Sequence, residues 1–214
     1  MSIKFSRRDF LKVTGLAVGG AALTCSGLGY AATRSPKIYT LDLVYGKEHS
    51  MQNAVLVTHA TRAGSTAEIA AVIGETLAER GFHVDVKSIK SQPSLDGYTA
   101  VILGSAIRMG NWLPEMVKFI QANQAALAAM PTALFTVHML NTGEDADSRA
   151  AREAYTASVR ALLPDAENVF FTGLMDFSRL SPLDRFISGM VKAVEADHRD
   201  WDAIRRWAEA VLIN

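Results

Sequence analysis

Residues 55–69 read Val-Leu-Val-Thr-His-Ala-Thr-Arg-Ala-Gly-Ser-Thr-Ala-Glu-Ile, an apolar strand that runs through a hydroxyl-rich loop directly into a helix. A unit of this kind commits the chain to an α/β architecture. Its loop has the makings of a phosphate cradle: small residues let backbone N–H groups converge, and the helix that follows turns the positive end of its dipole toward an anion. Thr61, Ser65 and Thr66 add hydroxyl donors around Arg62 and Ala63, and Gly64 can take backbone angles that a residue with Cβ resists. The glycine and lysine spacing of nucleoside-triphosphate loops is missing, as is the Gly-x-Gly-x-x-Gly of dinucleotide sites. A single terminal phosphate fits better than either. The same residues also suit an ordinary strand–turn–helix connection capped by Thr or Ser.

Strand-like and helix-like segments alternate along the rest of the chain, which argues a parallel sheet with helices on both faces. The first strand is expected at about Asn53–Thr58, followed by a helix that buries Ile69, Val72, Ile73 and Leu77 and stops at Gly81. Phe82–Val86 alternates as an edge strand does, and Thr99–Gly104 reads as a buried central strand. Pro114–Ala128 is expected as a helix with Pro in its first turn, Thr132–Val137 as a strand and Asp147–Leu163 as a helix. Asn168–Gly173 reads as the fifth strand, and two helices, 182–195 and 201–212, close the chain. Five strands with the phosphate loop on the first give a three-layer sandwich of order 2-1-3-4-5, with a ligand at the switch point between strands one and three.

That order requires the loops after strands three and four to suit a flat ligand. Strand three ends in Gly104-Ser105-Ala106-Ile107-Arg108-Met109-Gly110-Asn111-Trp112, where small residues permit close approach and Met109 or Trp112 offers cover for a ring face. Strand four ends in His138-Met139-Leu140-Asn141, mixing apolar and polar groups. Backbone donors in these loops match the pyrimidine edge of a flavin, and Arg108 suits negative charge on a reduced ring. Together the three loops point to FMN. Trp112 and Arg108 equally suit plain packing and a solvated charge.

The N-terminus carries a second signal. Ser6-Arg7-Arg8-Asp9-Phe10-Leu11-Lys12 precedes a glycine-broken apolar run to about Leu28, the pattern of a twin-arginine export signal. The run falls short of the ~20 apolar residues that span a bilayer. Cleavage near Ala31 is expected, leaving a linker over 32–52 and a domain over 53–214. Cys25 sits in a poor lipobox, so lipidation is not expected. This route exports folded proteins, so a cofactor loaded in the cytoplasm gives a reason to use it, with the twin-arginine translocase as a transient partner and an extracytoplasmic or periplasmic destination.

Loss of the signal moves the formal net charge from +0 to about −3, which argues against nucleic acid as a partner. Cys25 is the only cysteine, so thiolate metal sites and thiol catalysis are not expected in the mature chain. The histidines show no metal-ligand spacing, and no nucleophile–base or paired-carboxylate arrangement stands out. No catalytic side chain is therefore assigned, and the chemistry is expected to reside in the flavin.

Thr61-Arg62-Ala63-Gly64-Ser65-Thr66 resembles the flavodoxin FMN-phosphate loop, with Ala63 where flavodoxins often have Thr. Together with Gly104-Ser105-Ala106-Ile107-Arg108-Met109-Gly110, Asp184-Arg185-Phe186 and a Trp-bearing terminal helix, it resembles the flavodoxin-like menaquinone-dependent protoporphyrinogen dehydrogenases over roughly 54–212. The resemblance implies a flavodoxin-like fold, FMN phosphate on the first loop, isoalloxazine flanked by the later two, and electrons passed to a membrane quinone. That family has a longer basic segment before its last helix, where this chain has only Glu195-Ala196-Asp197-His198-Arg199-Asp200. Phe177, Leu180, Leu183, Phe186 and Met190 form either a quinone- or membrane-facing rim or the packing of a terminal helix. Two other functions remain open: a periplasmic flavodoxin-type carrier serving a redox protein partner, and a flavodoxin-fold binding protein without FMN.

Overall fold

The computed structural model describes residues 42–190 and 194–212. The segment read as an export signal, the expected cleavage site and Cys25 lie outside the described residues. Ala54–Ala60 forms β2, with all seven residues buried, as a strand covered on both faces requires. Helix α1 (Ser65–Glu79) follows and lays Ile69, Ala70, Ile73 and Leu77 against the sheet. Gly74 sets how close it comes, since a Cβ there would lie 2.4 Å from a Val86 methyl. Strand β3 (His83–Ser88) alternates between half-buried and buried residues. Then come β4 (Ala100–Arg108), its short return strand β5 (Asn111–Trp112), β6 (Thr132–His138) and β7 (Glu167–Thr172).

With the short β1 (Leu43–Tyr45) at one edge the sheet order is β1-β3-β2-β4-β6-β7, and the five long strands are parallel, which is the expected 2-1-3-4-5 order of a flavodoxin-like sandwich. One face packs on α1 and the final helix α7 (Trp201–Ala210). The other packs on α2 (Pro114–Ala122), α3 (Gln124–Ala128) and α5 (Ala157–Arg160), with Leu56, Leu103, Leu113, Met116, Ile120 and Val159 between. Each of these large side chains, fully buried, contributes about 1.5–3 kcal/mol of hydrophobic stabilisation.

Four expectations are corrected. Leu43–Tyr45, within the stretch read as a linker, is β1, antiparallel to β3, so β3 is not the sheet edge; this short strand satisfies backbone groups that β3 would otherwise leave unpaired. Pro114–Ala128 divides at Asn123, whose side chain donates to Phe119 O at 2.8 Å, and α3 begins after it. The expected 147–163 helix is α4 (Ala146–Tyr155) and α5, divided at buried Thr156, whose hydroxyl donates back to Glu153 O. The helix expected over 182–195 is α6 (Pro182–Met190), and Ala196–Asp197 is strand β9, paired antiparallel with β8 (Leu174–Met175). Among the described residues no helix is long and apolar enough to cross a membrane.

Candidate functional site

The loop from Thr61 to Thr66 stands at the C-terminal end of β2, between β3 and β4, where the winding of the sheet reverses. Gly64 has φ +92° and ψ −23°, a left-handed conformation that disfavours any side chain, and it caps α1 with no side-chain hydrogen bond. Thr61 Oγ1 accepts from Gly64 N at 2.9 Å and closes the turn. Its hydroxyl shapes the loop. Among the described residues the amides of Arg62, Ala63, Ser65 and Thr66 make no hydrogen bond, and the first turn of any helix leaves such donors over. Thr66 Oγ1 is fully buried and unpartnered as well. Ser65 and Thr66 do not act as caps, so the loop is not a side-chain-capped connection. Half-exposed Arg62 lies 3.5 Å from Glu115 on α2. An anion over these amides would satisfy the loop's surplus donors, and the donor set fits the phosphate of FMN.

The second loop folds as a tight hairpin. Arg108 pairs with Asn111 and Ile107 with Trp112, leaving Met109 (φ +54°) and Gly110 (φ +74°) as a two-residue turn with both φ positive. Met109 is exposed at its tip, in a conformation that costs a non-glycine residue energy. Ser105 is fully buried; its hydroxyl donates to Ala106 O and accepts from Leu113 N at 3.0 Å, so it serves the fold. Trp112 is a core residue at 2 % exposure, its indole N–H donating to Thr136 Oγ1 at 3.0 Å, and it is not a ring cover. Ala106 and Ile107 are half-buried. Arg108 is not a solvated charge: its Nη2 and Nε donate to Asp184 Oδ1 at 2.7 and 3.1 Å, and Ser181 Oγ holds the other carboxylate oxygen. This pair fastens α6 to the hairpin.

The third loop is held from below. His138 is buried and its Nδ1 donates to Leu140 O at 2.9 Å; desolvation, the largest cause, lowers its pKa. Asn141 adopts φ +59° and donates to Tyr155 Oη at 2.6 Å. Leu140 is exposed and Met139 half-buried. A Cβ on Gly173 would lie 3.4 Å from Ser65 Oγ and 3.5 Å from Met139 Sδ, so the first and third loops meet over the end of β7.

Sequence reasoning missed Arg152 and Tyr155 and met Asp184 only within the family resemblance, without its tie to Arg108; all three fix these loops from elements remote in sequence. It also missed Glu68 in the first turn of α1, which takes hydrogen bonds from both Arg179 and Arg199 and so ties the segments that follow β8 and β9 to the cradle. Arg199 also holds the Asp197 carboxyl down at about 2 through its hydrogen bonds. No signal local to any of these residues names its partner. Beneath the cradle, His59 is 1 % exposed with neither ring nitrogen partnered, and burial lowers its pKa to about 4. Among the described residues no group of three His, Cys, Asp or Glu side chains could hold a metal.

Comparison with known proteins adds relatives to this geometry. The protoporphyrinogen IX dehydrogenase (quinone) of Escherichia coli strain K12 is 25 % identical over 172 residues, covering 73 % of this chain and 93 % of that protein. The one from Leishmania major is 29 % identical over 168 residues, 72 % of each chain. A flavodoxin structure from the domain Archaea aligns over 65 % of this chain and 99 % of its own at 20 % identity, with a TM-score of 0.39. The flavodoxin domain model matches residues 56–202, from the third residue of β2 into α7, and on that match the chain belongs to the flavodoxin domain family.

Proposed function

We propose that this protein is an exported FMN oxidoreductase that passes electrons from a reduced tetrapyrrole of the protoporphyrinogen type to a membrane quinone. The observation that carries the cofactor is the Thr61–Thr66 loop, whose free amides and buried, unpartnered Thr66 hydroxyl lie at the N-terminus of α1. The protoporphyrinogen IX dehydrogenase (quinone) relatives support the substrate and the quinone.

In this reading the amides of Arg62, Ala63, Ser65 and Thr66 hold the phosphate, with the Thr66 hydroxyl beneath it. The hairpin tip at Met109 and the loop at Met139–Asn141 border the ring. Bound FMN supplies the two-electron chemistry that no side chain here provides: the tetrapyrrole loses hydrogen, and the quinone gains two electrons and two protons. Arg108 keeps Asp184 neutralised at the rim, an effect of about 1 kcal/mol or less for a partly exposed pair. Phe186, 62 % exposed, and Met190 give the neighbouring α6 an apolar outer face for quinone or membrane, whereas Phe177, Leu180 and Leu183 are half-buried.

Wild-type protein should leave gel filtration with FMN bound, and Gly64→Val with Thr66→Ala should abolish retention while the far-ultraviolet circular dichroism persists. A branched residue at φ +92° distorts the cradle, and the second change removes its buried hydroxyl. Equal FMN content in the two proteins defeats this reading of the loop. Turnover of protoporphyrinogen with menadione separates the enzyme from an electron carrier, which would bind FMN and oxidise no tetrapyrrole.

Export is part of the same proposal and rests on Arg7 and Arg8. Arg7→Lys with Arg8→Lys should strand a folded, FMN-loaded protein in the cytoplasm, because the translocase reads the arginine pair as an address while the domain begins some 40 residues later. Fractionation that finds the variant exported as efficiently as wild type would mean that the chain travels unfolded by the general route.

A further inference from the structure

Four carbonyls of the loop joining β6 to α4 are tied down by side chains. Leu140 O accepts from His138 Nδ1. Asn141 O and Gly143 O both accept from Nη1 of Arg152, at 2.7 and 2.6 Å, and Glu144 O accepts from Nε of Arg149 at 2.8 Å. The Arg152 side chain is 11 % exposed, so its guanidinium is a buried bracket and not a solvated charge. A peptide unit is planar with its N–H opposed to its C=O. Holding the carbonyls of Asn141 and Gly143 therefore points the amides of Thr142 and Glu144 away from Arg152. Among the described residues none of the amides from 139 to 144 donates a hydrogen bond. The result is a row of free donors with four of the six carbonyls from 139 to 144 held by side chains, on the loop whose Met139 meets Ser65 of the cradle over Gly173.

We infer that Arg152 is a positioning residue that turns the Thr142 and Glu144 amides outward as donors to the flavin ring and thereby favours the reduced, more electron-rich flavin over the oxidised one. This rests on the FMN reading given above. Without the bracket either carbonyl is free to turn, and each that turns replaces a donor at the edge with an acceptor. An acceptor repels the electron density that reduction adds to the ring, so the loss falls mainly on the reduced form. A bracket that only supported the fold would affect both forms alike.

The test measures dissociation constants of oxidised and reduced FMN for wild type, Arg152→Met and Arg152→Lys, with thermal melting of each apoprotein. Arg152→Met should weaken reduced FMN about tenfold more than oxidised FMN, equivalent to a two-electron potential about 30 mV lower. Arg152→Lys keeps the charge but loses the planar guanidinium that fixes Nη1 between the two carbonyls, so it should show a smaller loss of the same sign; it carries the test if the Met variant does not fold. Equal weakening of both forms, or a Lys variant identical to wild type, overturns the positioning role, the latter because charge alone would then account for the effect. Wild-type protein that retains no FMN would instead overturn the cofactor reading, and the inference with it.

Discussion

Gly104→Ala should destabilise the domain by about 3 kcal/mol, the upper end of what overpacking a core costs. A Cβ at this position on β4 would lie 1.9 Å from Phe135 Cζ and 2.2 and 2.4 Å from the two Cε atoms. Phe135 is fully buried on the neighbouring strand, in register with Gly104, and its ring meets Phe171 at 6.4 Å from β7. The ring covers the glycine and cannot withdraw without disturbing the next aromatic layer. Phe135→Leu removes the obstruction at a cavity cost, so the double variant Gly104→Ala/Phe135→Leu should be more stable than Gly104→Ala alone, a non-additivity expected of side chains in contact. Urea unfolding of the four proteins measures this. A Gly104→Ala loss below about 1 kcal/mol would show that the ring relocates freely, contrary to the packing described.

His59 gives the second large effect. Its ring is buried with neither nitrogen partnered, and desolvation outweighs the opposing pull of Asp42, lowering the pKa from 6.5 to about 4, with Lys90 adding to the fall. The folded protein therefore resists protonating a group that the unfolded chain protonates near 6.5. The stability contributed by neutral His59 is fully present above pH 6.5 and is lost as the pH falls from there to about 4. The whole loss amounts to about 3 kcal/mol, at 1.36 kcal/mol per unit. His59→Phe removes the titration and leaves no unpartnered nitrogen, so its stability should be nearly level across that window relative to wild type. His138, whose pKa is also lowered by burial, is common to both proteins and cancels in the difference. Parallel pH profiles of the urea midpoint would show that His59 gains a partner or solvent as the pH falls.

Much of the architecture was legible in short-range pattern. The apolar run in β2, the helical spacing of Ile69, Ile73 and Leu77 and the sequence of strands and helices led to the parallel order that the ladders display. These features lie within one or two turns or one strand, where periodicity reports burial directly. The residues of the β2–α1 loop were identifiable for the same reason, since strand, turn and helix start are contiguous. Helix breaks at Asn123 and Thr156 were missed because each depends on a side chain turning back to bond a carbonyl of its own helix, which the apolar pattern does not record. Strand β1 was missed because three residues carry no period and pair only where β3 offers a free edge.

Which polar groups remain free for a ligand was a matter of space. Ser105, Arg108 and Trp112 all looked available as a string of letters, and each has a partner elsewhere: Leu113 N, Asp184 and Thr136. Asp184 is 76 positions from Arg108, and Arg199 is 131 from Glu68. Local pattern sets the period and order of the elements because it records burial along one segment. The partner of a polar group is chosen among all segments that folding brings within about 3 Å, and that choice left Thr66 unpartnered, bound Arg108 to α6 and turned the Asn141 and Gly143 carbonyls toward Arg152.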